Sequence, residues 1–76
     1  MKRIVYSIVF ERVNKGTYLP FATMRAAVEA YDRHREQDAQ MFHIRDIEAA
    51  PEDTFYRCYE KTYNSGERER VILYKP

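Results

Sequence analysis

The side chains of this sequence best suited to chemistry are His34, His43 and the single cysteine, Cys58. Thiolate and imidazole are common zinc donors, so the three could in principle share a metal ion. No Cys-x-x-Cys, His-x-x-x-His or carboxylate cluster frames them, and the spacing of a structural zinc site is missing. Cys58 beside a histidine could also be a nucleophile. That role needs an orienting third group and an oxyanion-hole loop, and neither can be read here, so a buried, inert thiol is the expectation. Asp46, Glu48, Glu52 and Asp53 gather carboxylates without the glycine and fixed ligand intervals of a calcium loop. They read as solvated acids flanking a turn. The chain is therefore expected to have no catalytic residue, no metal and no cofactor.

Tyrosine is the more informative residue. Seven occur in 76 positions: Tyr6, Tyr18, Tyr31, Tyr56, Tyr59, Tyr63 and Tyr74. Tyrosine joins a broad apolar ring to a polar tip, which suits surfaces that bind other molecules. In the C-terminal third, Arg57, Lys61, Arg68, Arg70 and Lys75 are interleaved with Tyr56, Tyr59, Tyr63 and Tyr74. Aromatic anchors with arginine dominate interface energetics, so Tyr56, Arg57, Tyr59, Tyr63, Arg68, Arg70 and Tyr74 are the candidate partner-binding residues. The same mixture could track phosphates and stack on bases, as sheet platforms do with single-stranded nucleic acid. Glu60, Glu67 and Glu69 interrupt the positive field, and no aromatic ribonucleoprotein box is present.

These residues must be positioned by one small domain spanning 1–76. At this length a single core is near its lower limit, which leaves no room for a walled catalytic cleft on a separate scaffold. Hydrophobic residues at 45% and charged residues at 33% describe a soluble globular chain. Net charge is +1, from thirteen basic and twelve acidic residues, which argues against a strongly acidic DNA mimic and against a dedicated polyelectrolyte binder. The charges are unevenly spread, with a basic bias over 1–16 and an acidic one over 41–53. No apolar run approaches the roughly 20 residues that span a bilayer. The segment Ile4–Phe10 alternates at strand period and leads into Glu11 and Arg12 without a small-residue cleavage site, so it reads as a strand and not as a signal peptide. One cysteine forms no internal disulfide, and a cytoplasmic location is expected.

Period-two alternation over 3–13 predicts the first strand, with Ile4, Tyr6, Ile8 and Phe10 toward the core. Asn14-Lys15-Gly16 should turn, with Gly16 at positive φ, and Thr17–Leu19 should return as a short strand. Pro20, unable to donate a ladder hydrogen bond, confines that strand to an edge or ends it. Thr23 is an N-cap for a helix whose apolar stripe is Met24, Ala27, Val28 and Tyr31. Glu29–Arg33 is an i,i+4 pair on its outer face, and the helix should fade between Arg35 and Gln40. Met41–Glu48 is a strand whose apolar phase slips between Ile44 and Ile47, suggesting a bulge. Ala49–Asp53 connects it to a hairpin: Thr54–Tyr63, the turn Asn64-Ser65-Gly66, and Glu67–Lys75. A three-residue loop with Gly66 at the bulge position opposes Lys61 with Glu69 and Glu60 with Arg70. That register sets Phe55, Tyr59, Val71 and Leu73 on one face and Tyr56, Cys58, Ile72 and Tyr74 on the other.

The expected fold is α+β, a four- to five-stranded mainly antiparallel sheet with a single α-helix on one face. One helix leaves the second face uncovered, and apolar residues there mark an interaction surface. The order of elements is strand, short strand, helix and three-strand meander. It is carried by strand Ile4–Val13, the Gly16 turn, the Thr23-capped helix with Ala27-Val28-Tyr31, and the Asn64-Ser65-Gly66 hairpin. In this order and in size the chain resembles small phage-encoded anti-CRISPR proteins. The resemblance implies a non-enzymatic inhibitor from a phage or mobile element that binds a host protein complex in the host cytoplasm, such as a CRISPR interference machine. It carries over no individual functional residue. Two other readings stand beside it: a nucleic-acid-binding module using a Tyr/Arg sheet face, and a structural homodimer with paired sheet faces.

Overall fold

Alternation of apolar and polar residues makes Tyr6–Arg12 a strand (β1), and it is central to how the rest of the chain assembles. The computed structural model describes residues 6–12 and 15–74. β1 pairs on one side with β2 (Lys15–Phe21) and on the other with the last strand, β5 (Arg68–Tyr74), both antiparallel. Between β2 and β5 come helix α1 (Met24–Met41), β3 (His43–Ile47) and β4 (Phe55–Thr62). β4 joins β5 and β3, giving a five-stranded antiparallel sheet in the order β2-β1-β5-β4-β3. The fold is α+β, with α1 packed across one face.

The core lies between α1 and that face. Ile8, Tyr59, Val71 and Leu73 are fully buried beneath Ala27, Ala30 and Tyr31 of the helix. Tyr6, Phe10, Phe21, Val28, Ile44 and Tyr56 pack around them. Tyr6, Ile8 and Phe10 thus face inward as their alternation requires, while Ile4 lies outside the described residues. The small Ala27 and Ala30 bring the helix close to the sheet. Met24 stays 43% exposed, so the stripe runs through Ala27, Ala30 and Tyr31, with Val28 at its flank.

Several local expectations need correction. Gly16 is paired with Glu11 inside β2 and has no positive φ; among the described glycines that conformation belongs to Gly66, at φ 89°. Of the expected turn Asn14-Lys15-Gly16, Asn14 lies outside the described residues, while Lys15 and Gly16 are paired with Arg12 and Glu11 inside the ladder. β2 itself is longer than Thr17–Leu19 and includes Pro20, which an edge strand tolerates because one side makes no ladder. Thr23 caps α1 as expected, its hydroxyl accepting from the Ala26 amide at 3.2 Å. The helix does not fade after Arg35 but continues to Met41, because Arg35 and Asp38 are tied to the sheet. Glu29 approaches Arg25 at 3.7 Å, the opposite neighbour from the expected Arg33.

The C-terminal hairpin has the register that its charges demand, Lys61 opposite Glu69 and Glu60 opposite Arg70. Tyr63 and Glu67 close the loop by a 2.8 Å backbone bond, leaving Asn64-Ser65-Gly66 at its tip. The bulge expected in β3 is absent: Ile44 and Ile47 pair in regular register and simply face opposite sides. A register shift occurs instead in β4, between Phe55 and Arg57. It exchanges two aromatics, turning Tyr56 toward the helix side against Tyr6 and placing Phe55 beside Tyr74 on the other face. Among the described residues no helix is long and apolar enough to cross a membrane.

Candidate interaction face

The side chains on the sheet face away from α1 follow from the register. One row across the strands is Tyr18, Val9, Ile72, Cys58 and Ile47. Beside it, toward one end of the strands, lie Pro20, Ser7, Tyr74 and Phe55. Toward the other end lie Glu11, Arg70, Glu60 and Arg45, then Arg68, Thr62 and His43. The face is therefore zoned along the strands into an apolar half and an arginine-rich half. No described helix or strand covers it.

Burial differs sharply within the zones. Ile72 and Cys58, in the middle of the sheet, are nearly buried among their neighbours, whereas Tyr18 on the edge strand is 65% exposed. Val9, Ile47, Phe55 and Tyr74 are half-buried. Burial pushes the Cys58 thiol above its ordinary value, which keeps it protonated and unreactive at neutral pH. In the charged half, the buried Glu60 carboxylate accepts from Arg45 Nη2 at 3.2 Å and Arg70 Nε at 3.4 Å. Arg68 Nη1 lies 3.9 Å away. Partial burial disfavours the Glu60 charge, but the hydrogen bonds from Arg45 and Arg70 outweigh it and hold the carboxyl below its ordinary value.

The helix side of the hairpin carries a second polar network, and this one is internal. Lys61 Nζ bridges Asp38 at 3.2 Å and Glu69 at 3.1 Å, all three side chains being largely buried. The same ammonium sits 5.0 Å from the Phe42 ring centroid and 5.3 Å from that of Tyr63. Tyr59 donates to Asp38, and Tyr63 donates to Glu69 at 3.0 Å. Among the described residues no buried side-chain nitrogen or oxygen lacks a hydrogen-bond partner. An open groove of about 500 Å³ between α1 and the β3–β4 end is lined by Tyr31, Tyr56 and Ala49 and by the ion pairs Arg35–Asp46 and Arg57–Asp32.

The seven residues singled out from sequence are thus divided among three environments. Arg68, Arg70 and Tyr74 lie on the uncovered face. Tyr56, Arg57 and Tyr63 lie on the helix side, where Tyr63 is enclosed by Phe42, Glu69 and the Arg12 guanidinium, 4.5 Å from its ring centroid. Tyr59 has no exposed surface and belongs to the core, so it is removed from any surface a partner meets. The reason is the helix above it, whose small Ala27 and Ala30 leave room for a ring. Sequence reasoning did not single out Tyr18, Phe55 or Arg45 as site residues. Tyr18 had a signal in strand alternation next to Pro20. Arg45 had none, because the connection from 48 to 54 does not determine how β3 registers on β4.

The potential metal or nucleophile residues are dispersed. His34 packs edge-on against Phe10, 5.3 Å between centroids. His43 pairs with Thr62 at the far end of β4 from the Ile47–Cys58 pair. Asp53 accepts the Ala50 amide at 2.7 Å and closes the connection, while Asp46 is held by Arg35 through two bonds of 2.8 and 2.7 Å. Among the described residues no three histidine, cysteine or acidic side chains gather into a metal-sized group. No protein-family model, curated protein or solved structure matches the chain.

Proposed function

We propose that this chain is a small non-enzymatic binding module that acts by docking its uncovered sheet face on another protein. The observation that carries this reading is the zoning of that face, with an apolar half around Val9, Ile72 and Ile47 and a charged half around Glu60, Arg45, Arg68 and Arg70. An apolar centre that excludes water, beside arginines that orient, is the make-up of a protein interface. A single-strand platform would carry rings at the middle of the central strands, where bases stack. Here those positions hold Val9, Ile72 and Cys58, and the rings of Tyr18, Tyr74 and Phe55 stand toward the margins. A net charge of +1 also provides little long-range attraction for a polyanion.

The likeness in size and element order to phage-encoded anti-CRISPR proteins extends the proposal. In that reading the chain is a phage or mobile-element inhibitor acting in the host cytoplasm, and its partner is a host complex such as a CRISPR interference machine. It blocks the complex by occupying a surface, which requires no catalytic residue.

Photo-crosslinking tests the docking face. A benzophenone side chain placed at Tyr18 or Tyr74 should capture one discrete partner protein in the cells where the chain acts, and the same group at Arg33 on the outer helix surface should not. Capture from Arg33 alone, or of nucleic acid in place of protein, would reject the reading.

A further inference from the structure

The arginine half of the uncovered face holds more hydrogen-bond donors than its own carboxylates can use. Three guanidinium groups carry fifteen N–H donors between them, and one carboxylate offers about four acceptor sites. Glu60 takes one bond each from Arg45 and Arg70, and Arg68 at 3.9 Å stands beyond hydrogen-bond reach. The three side chains remain 64%, 68% and 52% exposed for Arg45, Arg68 and Arg70, whereas that of Glu60 is only 10% exposed. Glu11 opposes Arg70 across β1 and β5, which still leaves this zone one positive charge in surplus. The buried Glu60 thus acts as a hub: it holds the arginines together while their outer donors point to solvent. Beside it, Glu11, Arg12, Arg68 and Arg70 bound a concavity of about 340 Å³.

We infer that the partner's contacting surface presents acidic side chains, aspartate or glutamate, to Arg45, Arg68 and Arg70, next to an apolar patch that covers Val9 and Ile47. This rests on the reading of the face as a protein-docking surface and names the chemistry of what docks. A planar guanidinium pairs with a carboxylate through two parallel bonds, so the cluster selects for carboxylate geometry as well as for charge.

A second copy of this chain is a poor occupant. Isologous packing of two such faces has its twofold axis in the plane between them. With the axis along the strands, arginine zone meets arginine zone. With the axis across the strands, each arginine zone meets the partner's apolar zone. The first opposes like charges and the second desolvates guanidinium groups without acceptors. Nucleic acid fits less well, because Glu11 and Glu60 lie within the cationic zone and the neighbouring surface is aliphatic.

The test uses the isotope-labelled full chain and three defined probes: a peptide of alternating Leu and Glu, the same peptide with Gln for Glu, and an oligothymidylate of about 20 nucleotides, each at low and moderate salt. The Glu peptide should shift the amides of Arg45, Glu60 and residues 68–72, and should bind at least about tenfold more tightly than the Gln peptide. The triple variant Arg45→Gln, Arg68→Gln, Arg70→Gln should abolish that preference while retaining the dispersed amide spectrum of the sheet. The corresponding triple lysine variant, which keeps charge without the fork, should lose part of it. Equal affinity for the Glu and Gln peptides, shifts confined to the helix side, tighter binding of the oligonucleotide, or self-association of the chain alone would overturn the inference. Crosslinking at Tyr18 without a Glu preference rejects only the acidic partner. A Glu preference with shifts at Arg45 and residues 68–72 but no crosslinking at Tyr18 or Tyr74 rejects docking through the apolar half and leaves only the carboxylate selectivity of the arginine zone standing.

Discussion

The phenol of Tyr59 donates a 2.5 Å hydrogen bond to Asp38, joining the middle of β4 to the last turn of α1. Asp38 also receives Lys61 at 3.2 Å, so one helix carboxylate anchors two residues of the same strand. Arg35, one turn earlier, is held to Asp46 of β3. These bonds account for a helix that persists to Met41 through Gln37, Asp38 and Gln40, a stretch with little apolar surface of its own. Tyr59→Phe removes the donor and leaves Asp38 with Lys61 alone, so it should cost about 1–2 kcal/mol. Hydrogen exchange should localise the loss, with faster exchange in the last turn of α1 than at its Thr23 end.

Two charged networks of similar size should respond very differently to truncation. Lys61→Ala leaves Asp38 and Glu69 facing each other, largely buried and without their cation, and removal of one partner from such a cluster costs roughly 3–5 kcal/mol. Glu60→Ala frees arginines that are mostly exposed and can turn to water, so screening limits its cost to about 1 kcal/mol or less. Urea denaturation of both variants checks the order. A Glu60→Ala variant less stable than Lys61→Ala would mean that the arginine cluster is structural.

Stability should decline on the alkaline side. Burial, reinforced for Tyr59 by the bond to Asp38, raises both Tyr31 and Tyr59 above the ordinary value of 10.0. Lys61 is raised above 10.5: burial opposes its charge, but bonds to Glu69 and Asp38 outweigh that effect. In each case the folded state keeps a proton that the unfolded chain releases. Their contribution is therefore complete below the unfolded values and is lost as pH rises toward the folded ones. Urea midpoints should fall between about pH 9.5 and 11.5. Tyr31 and Tyr59 should ionise only with unfolding, seen as a phenolate absorbance step that coincides with loss of circular dichroism. Reversible titration of all seven tyrosines with the sheet intact would contradict the assignment.

Much of this architecture was legible in local pattern. Alternation placed Tyr6, Ile8 and Phe10 inward, Pro20 was compatible with an edge position for β2, and the Gly66 loop, supported by two charge pairs, pointed to the hairpin register. What escaped depends on contacts between distant segments. The bulge at Phe55/Arg57 has no local signature, and it decided which of Phe55 and Tyr56 faced the uncovered side. The arginine zone was half legible for the same reason. Arg68, Arg70 and Glu60 share one hairpin, but Arg45 joins them only through the β3–β4 pairing.

The helix stripe makes a graded prediction. Ala27 has no exposed surface and lies within the core cluster, whereas Val28 is half-buried at its edge. Ala27→Asp places an unpaired carboxylate against the sheet and should cost several kcal/mol, enough to unfold a domain of this size. Val28→Asp can swing its carboxylate toward water and should cost about 1–3 kcal/mol. Thermal melting of both variants tests this order. The reverse order would place the helix about a third of a turn from the orientation described.

Gly66 tests the backbone alone. It sits at φ 89°, and a Cβ built there meets nothing within 4 Å, so substitutions bring no clash with a neighbour. Any loss must come from forcing a side-chain-bearing residue into left-handed conformation. Gly66→Asn should be tolerated best, Gly66→Ala should cost about 1 kcal/mol, and β-branched Gly66→Val should cost more. Because Tyr63–Glu67 closure determines the register of Glu60 with Arg70, the valine variant should also disturb the arginine zone. Amide shifts of residues 60 and 70, read beside the urea midpoint, separate the two effects. If Gly66→Val matches wild type in both, the loop does not hold the hairpin, and its register rests on the ion pairs and core contacts of β4 and β5 alone.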